Sequence, residues 1–510
     1  MGSEGRIAGA TRRSGGRRNR VKKRAAGPAN PAPPGQVGGQ YRPLTEAAIR
    51  AIYDTALRLL SEVGMGEVPL RLQADFLKAG ARLDRHDRVL LPEALVKEAV
   101  AASPKRFVLH GRDPARSIEV GGDRVFFGTG GAAVHTLDLD TGLYRPSTLA
   151  DLHDFTRLQD VLENVAWFTR CCVATDVPDN YDLDVNTVYA LVRNTTKPVA
   201  TSFTLAEHIP PIVEMLDIVA GGRGAFSERP FLKAHISPVI SPLRFGEDAV
   251  DVAYGCIEHG IPMSCITAAQ SGATAPATMA GFLAQSLAET LASLAMVHVI
   301  RPGFPMVFAN WPFVIDLRTG AFAGGGGETA VLNGASAQIS NWLGLASGVA
   351  ASMTDAKAID AQYGAEKGIT ALAAALAGGN LIYESSGMTA SLLGASFEGF
   401  VLDNEMHSSI FRALRGIEVN EDTLGFDAIR ETVLGEGHFL GHAQTHAAME
   451  RDFVYPKLAD RDAPSVWGDG GAQQAWDRAR EKAASILATH HPDYLSPGQD
   501  ADIRARFRIL

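Results

Sequence analysis

The chain has 510 residues, 46% of them hydrophobic and 21% charged, and a formal net charge of −9. That balance excludes a wholly disordered chain and argues against nucleic-acid binding as its main business. Four cysteines are too few for a disulfide framework in a chain of this length and point to a reducing, cytoplasmic setting.

Residues 1–40 contain "TRRSGGRRNRVKKRAAGPANPAPPGQVGGQ", rich in Arg, Lys, Gly and Pro and almost free of aromatics. Such a segment cannot bury enough apolar surface to offset its ordering, which predicts a disordered basic tail. It has neither the apolar core of a signal peptide nor the amphipathic face of a transit peptide. No 18 consecutive apolar residues occur anywhere, so no membrane span is expected.

A helical pattern opens at Thr45, a natural N-cap, and carries Ile49, Ile52, Ala56, Leu57, Leu60 and Val63 to a stop at Gly64. Further helices start after Pro69 and Pro92, and "FVLHG" reads as a short strand. Residues 41–123 therefore form a helical lead-in.

From residue 124 strands and helices alternate strictly. Strands are predicted over 124–131, 165–174, 198–203, 231–240, 262–267, 305–315, 348–352 and 380–387. The helices between and after them are predicted over 148–162, 182–195, 206–220, 246–259, 277–300, 327–343, 359–377 and 396–415. The strands read as continuous apolar runs, as parallel strands covered on both faces do. Eight such units in 124–415 have the size and count of a closed (β/α)8 barrel. An open doubly wound sheet is the alternative, but "FFGTGGAA" matches its glycine fingerprint only in part. Residues 416–510 carry helical periodicity and read as a C-terminal helical extension.

Reactive groups of a barrel lie at the carboxyl ends of its strands. Those ends supply His235, Gln270, Asn310, Trp311, Asp355 and Glu384. Glu328 follows four glycines in "GGGGETAVLN" and begins a helix. It is either a ligand-facing carboxylate or an ordinary first-turn acid. Lys357 is expected to pair with Asp355 or Asp360. Phe308, Trp311 and Tyr383 supply aromatic faces, and each well-placed, desolvated ring holds an onium cation by roughly 0.5–2 kcal/mol. His442 and His446 stand four apart in "HAQTH", but there is no third ligand and no H-E-x-x-H, so no metal site is predicted.

Five stretches then carry a resemblance: "GGGGETAVLNGASAQ", "SGVAASMTDAKAIDAQYGAEKG", "LAGGNLIYESSGM", "LGASFEGFVLDNEM" and "HFLGHAQT…ERDFVYPKLADR". From about residue 40 to its end the chain resembles the trimethylamine methyltransferase family. The resemblance implies a (β/α)8 barrel that passes a methyl group from a methylated amine to the cobalt(I) of a corrinoid. That corrinoid (cobalamin) rides on a separate cognate protein, and no tightly bound cofactor is implied for this chain. The trimethylamine branch uses pyrrolysine; this chain contains only the twenty standard residues, which places it beside the glycine betaine methyltransferases.

A quaternary ammonium suits that branch because its leaving group is a neutral tertiary amine that needs no general acid. On this reading Glu328, Glu384 and His235 are the catalytic candidates. Trp311, Phe308, Asn310, Tyr383, Gln270, Asp355 and His442 are the substrate-binding candidates. A homo-oligomer is expected, with neither nucleic acid nor membrane as partner. Two other classes remain open: a carboxylate-based barrel lyase or hydrolase, and a non-catalytic onium-binding protein.

Overall fold

A computed structural model of the chain describes residues 30–510, so most of the basic tail lies outside the described residues. The chain divides into two units. One comprises Pro34–Arg415 and Pro456–Leu510; the other comprises Gly416–Tyr455 with Pro33 and the residues described before it.

The larger unit is the barrel. Its strands are β1 (Phe126–Phe127), β2 (Phe168–Thr169), β3 (Val199–Thr201), β4 (Leu232–Ile236), β5 (Met263–Thr267), β6 (Met306–Asn310), β7 (Ser347–Ala350) and β8 (Leu381–Tyr383). Its helices are α1 (Leu149–Asp160), α2 (Asn180–Asn194), α3 (Ile209–Ala220), α4 (Glu247–Glu258), α5 (Met279–Ile300), α6 (Gly327–Leu343), α7 (Ala361–Leu376) and α8 (Phe397–Arg415). All pairings within the sheet are parallel, in the order β1-β8-β7-β6-β5-β4-β3-β2. A parallel bridge between Gly128 and Trp167 closes the ring.

Local chemistry sets the helix ends. Thr148 and Asp151 form a capping box at the start of α1, and the Asp360 carboxylate accepts the Gln362 and Tyr363 N–H groups at the start of α7. Gly221 and Gly344 close α3 and α6 in the left-handed conformation. Buried Lys197, just before β3, ties down the turn between α1 and β2, donating at 2.7–2.8 Å to the carbonyls of Gln159, Leu162 and Val165.

Alternation along the strands divides the core. Phe168, Ala234, Cys265 and Phe308 face the outer helices, while Trp167, Ile266, Val307, Ala309 and Tyr383 pack together inside the ring. Helix α5 is long and apolar enough to cross a membrane, yet most of it is buried as a core helix. Its Glu289 accepts from Ser241 Oγ (2.6 Å) and the Leu243 N–H (2.9 Å).

The tail requires a correction at its end. Residues 34–40, read from composition as disordered, run along the barrel: Gly35 N–H bonds Val125 O, Gly38 N–H bonds Asp123 O and Gly39 N–H bonds Leu376 O, each at 2.8 Å. Composition misses this because the contacts are made by backbone. A Cβ at Gly38 would lie 2.3 Å from the Ala375 carbonyl oxygen.

After Pro456 the chain returns to the barrel. Glu405 of α8 accepts the N–H groups of Lys457, Leu458 and Ala459 at 2.5–2.7 Å. The helix Ala475–Thr489 then packs on α8 and α1. Gly416–Tyr455 carries three short helices, Glu421–Leu424, Phe426–Leu434 and Ala443–Arg451, with Ile417, Phe426, Leu434 and Leu440 exposed.

Candidate functional site

The floor of the barrel is a polar trio set among aromatic rings. Lys233 of β4 donates to Tyr383 Oη (2.9 Å) and Ser264 Oγ (3.0 Å), and those two hydroxyls lie 2.6 Å apart. The Lys233 Nζ sits 4.9 Å from the Tyr383 ring centre and 5.1 Å from that of Trp167. Burial pulls the Lys233 pKa down to about 7.

His235 stands two residues further along β4, hence on the same inner face. Its ring meets Trp311 at 5.3 Å and Tyr383 at 5.7 Å, both edge-on, and Trp311 lies 4.9 Å from Tyr383. His235 keeps partial solvent exposure although Ala234, Ile236 and the floor beneath are buried. Solvent therefore reaches the inner face of β4 at this residue. Burial, followed by the charges of Lys233 and Arg170, holds the imidazole well below its usual pKa and thus neutral.

Glu384 follows β8 in the left-handed conformation, at φ +60°, and is fully buried. Its carboxylate lies against two glycines: a Cβ at Gly130 or Gly131 would each fall 2.7 Å from one of its oxygens. Neither oxygen makes a hydrogen bond of ordinary geometry, although the Gly131 N–H is near enough to draw the pKa down somewhat. Burial dominates and pushes the carboxyl up to about 8, against the opposing pull of Lys367. Lys367 is itself held at 3.2 Å from Asp403, whose carboxylate accepts from Gly387 N–H (2.7 Å) and Tyr363 Oη (2.8 Å).

Of the residues singled out from sequence, the barrel brings His235, Trp311 and Tyr383 together, and Glu384 lies beside Tyr383 across Gly130. Asn310 ends β6 beside Thr267 in register, and Asn310 Oδ1 and Thr267 Oγ1 are both buried without partners. Gln270 is half-buried in a two-residue strand paired with Phe313–Val314 beyond the barrel strands.

Four candidates take other positions. Phe308 faces the outer helices, because it alternates with Val307 and Ala309, which fill the interior. Glu328 is exposed in the first turn of α6, where the helix end favours an acid. Asp355 braces the glycine run, accepting Gly324 N–H (2.7 Å) and Ser391 Oγ (2.7 Å). Lys357 donates to the Asp355 backbone carbonyl at 2.7 Å and not to a carboxylate. His442 belongs to the smaller unit, where its Nδ1 caps a helix by accepting Gln444 N–H at 3.1 Å.

Sequence reasoning missed Lys233 and Arg170. Each is a charge inside an otherwise apolar run, "FLKAHI" and "WFTRCC", and that contradiction was the available signal. All four cysteines are buried and free. Among the described residues no three His, Cys, Asp or Glu side chains are placed to hold a metal ion.

Comparison with known proteins gives the family. A family model described as trimethylamine methyltransferase (MTTB) matches residues 13–508. The chain is 29% identical to a glycine betaine methyltransferase of Desulfitobacterium hafniense (strain Y51), over 92% of this chain and 97% of that one. It is 30% identical to the trimethylamine methyltransferase MttB of D. hafniense (strain DSM 10664 / DCB-2), covering 90% and 92%, and 30% identical to that of Methanosarcina thermophila, covering 91% and 96%. Among solved structures, the monomethylamine methyltransferase MtmB of Methanosarcina barkeri aligns over 90% of this chain and 96% of its own, at 14% identity and a TM-score of 0.45.

Proposed function

Because the chain belongs to the trimethylamine methyltransferase family, and so transfers methyl groups from methylated amines, we propose that its donor is a quaternary ammonium and its acceptor the cobalt(I) of a corrinoid on a separate protein. Glycine betaine is the first donor to test, given the relative that acts on it.

The observation that carries this reading is Glu384. A buried carboxyl group without an ordinary hydrogen bond, seated on two glycines next to Tyr383, is costly for the free protein. A permanent cation that can neither donate nor accept a hydrogen bond is the partner such a group lacks. The faces of Tyr383 and Trp311 complete the cation site. His235, neutral, adds no opposing charge. The leaving tertiary amine needs no proton, so these residues have to desolvate, orient and hold the donor.

When bound alongside, the corrinoid supplies the nucleophile. The carboxyl end of the barrel, toward which His235 keeps its solvent contact, is the side from which it would approach. The exposed Ile417, Phe426, Leu434 and Leu440 are of the kind that a protein partner covers.

The test mixes purified protein, cob(I)alamin and one donor at a time, and follows the cobalt absorption. Methylation with glycine betaine is the expected result. No methylation with glycine betaine, proline betaine, carnitine, choline or dimethylsulfonio compounds would overturn the reading. Turnover of a donor without any corrinoid would favour a lyase or hydrolase using Glu384 as its acid.

A further inference from the structure

A buried lysine lies close to Glu384 and does not pair with it. Lys367 of α7 is fully buried, and its charge acts on Glu384. Its Nζ is turned instead to the Ser352 carbonyl (2.6 Å), to Asp403 Oδ2 (3.2 Å) and, more weakly, to the Met388 carbonyl (3.4 Å). An ammonium has three N–H donors and accepts nothing, so these three acceptors leave it no donor to spare. Both oxygens of Glu384 meanwhile lack a hydrogen bond of ordinary geometry. The two groups share a neighbour. A Cβ at Gly131 would fall 2.7 Å from Glu384 Oε2 and 2.9 Å from Met388 Cε, so Met388 gives its carbonyl to the lysine and its methyl group to the surroundings of the acid.

Asp403 of α8 fixes the lysine and is itself fixed. Besides facing Lys367, its Oδ2 accepts Tyr363 Oη (2.8 Å) and the Gly387 N–H (2.7 Å). Tyr363 and Lys367 stand four apart on α7, one turn along the same face. Gly387 belongs to the segment after β8 that carries Glu384. Its φ is +73°, and a Cβ there would fall 2.1 Å from Phe400 Cδ2, so that N–H is set by a position which glycine alone fills without strain. The other titratable neighbours bring no competing cation. His407 of α8 lies face to face with Phe127 at 4.0 Å and is held neutral by burial and then by the lysine's charge. Burial likewise keeps the Tyr363 and Tyr383 hydroxyls un-ionised, and the Glu398 carboxylate accepts Ser396 Oγ at 2.8 Å.

We propose that Asp403 is a positioning residue, holding the Lys367 ammonium away from Glu384 so that the carboxylate is left for the cation of the bound donor. This rests on the reading of Glu384 as the donor's cation site. A lysine on a flexible stem would reach Glu384 without the loss of free motion that a donor from solution undergoes, and would displace it. Pinned, it acts on Glu384 only through its field. The buried charges then match in pairs, Lys367 with Asp403 and the donor with Glu384.

Tetramethylammonium binding tests this, measured by calorimetry at pH 7 in two buffers of different ionisation enthalpy. The wild type should release close to one proton on binding, because an unpaired Glu384 keeps its proton until the cation arrives. Asp403→Asn should weaken binding by roughly 10-fold or more and abolish the release, because Lys367 then pairs with Glu384. Adding Lys367→Met to Asp403→Asn should restore the release and bring affinity back to within about 3-fold of the wild type; general damage to the fold would not be repaired by a second deletion. A single variant that behaves as the wild type, or a double variant as weak as the single one, overturns the role of Asp403. Should Asp403→Asn alone fail to fold, the other two proteins decide: a wild type that binds without proton release, or a double variant that does not bind, overturns it. Glu384→Gln separates this from the underlying reading. If that variant binds tetramethylammonium as tightly as the wild type, the cation site itself is lost; if it binds weakly while Asp403→Asn binds normally, only the positioning role is lost.

Discussion

The Nζ of Lys233 lies 2.9 Å from the Tyr383 hydroxyl, in the middle of a barrel whose other floor groups are rings and a serine. The lysine's pKa falls to about 7 there, against an ordinary value of 10.5, because burial penalises its charge. Between those two values the unfolded chain binds the proton and the folded chain does not. Stability therefore rises with pH across that window, by at most about 1.4 kcal/mol per pH unit from this group. Lys197 is lowered in the same way, so the contribution of Lys233 must be read as a difference. Lys233→Met should flatten the slope of unfolding free energy between pH 7 and 9 by roughly that amount; an unchanged slope would show that the amine stays charged.

Glu384 is shifted in the opposite sense. Its carboxyl titrates near 8 in the folded protein, so it is mostly protonated at pH 7. An onium bound beside it favours the carboxylate, so donor binding should release close to one proton at pH 7. Titrations in two buffers of different ionisation enthalpy measure that release. Glu384→Gln should abolish the release and weaken onium binding by roughly 10- to 100-fold.

The same residue makes a stability prediction. Between the ordinary carboxyl value of 4.5 and about 8 the unfolded chain has lost the proton that the folded chain keeps. Stability contributed by this group therefore falls as pH rises through that range. Glu384→Gln should be more stable than the wild type at pH 8, with the gap closing toward pH 5. Chemical denaturation at the two pH values decides it.

The four glycines 324–327 that lead into α6 differ in their surroundings. A Cβ at Gly325 would lie 2.5 Å from Glu366 Oε2, and that carboxylate also accepts Thr354 Oγ1 (2.6 Å) and Asp355 N–H (2.8 Å). A Cβ at Gly327 meets nothing within 4 Å. Gly325→Ala should destabilise by roughly 1–3 kcal/mol, while Gly327→Ala, at the first position of the helix, should stabilise by up to about 1 kcal/mol. Melting temperatures of the two variants should move in opposite directions.

Glu328 should be dispensable for turnover. Its side chain is exposed at a helix start, so Glu328→Gln should leave kcat and KM unchanged and cost a few tenths of a kcal/mol of stability. A tenfold loss in kcat/KM would return it to the site.

The alternation of strands and helices was legible because each buried parallel strand is an apolar run stopped by glycine, proline or a polar turn. Seven of the eight predicted strands contain an observed one, and the eighth, 348–352, overlaps Ser347–Ala350. Ends of strands also pointed to His235, Trp311, Tyr383 and Glu384. Direction was harder to read than position. Phe308 stands in the right strand, but a single step of parity turns it from the interior to the helices. Glu328 follows a glycine run that looks made for a ligand, yet those glycines accommodate Asp355 and Glu366, distant neighbours that no local pattern announces. Residues 34–40 lack side chains that mark order, and their backbone bonds depend on strands and helices far along the chain.

The seam between β1 and β2 depends on a place where no side chain can stand. A Cβ on Gly128 would fall 2.1 Å from Cε2 of the Trp167 indole, the ring that closes the circle and floors the interior. A single methyl at 128 would act as a wedge, prising apart the join and unseating the rings that pack edge-on above it. The tightest join in the hoop thus also underlies the rings of the proposed cation site.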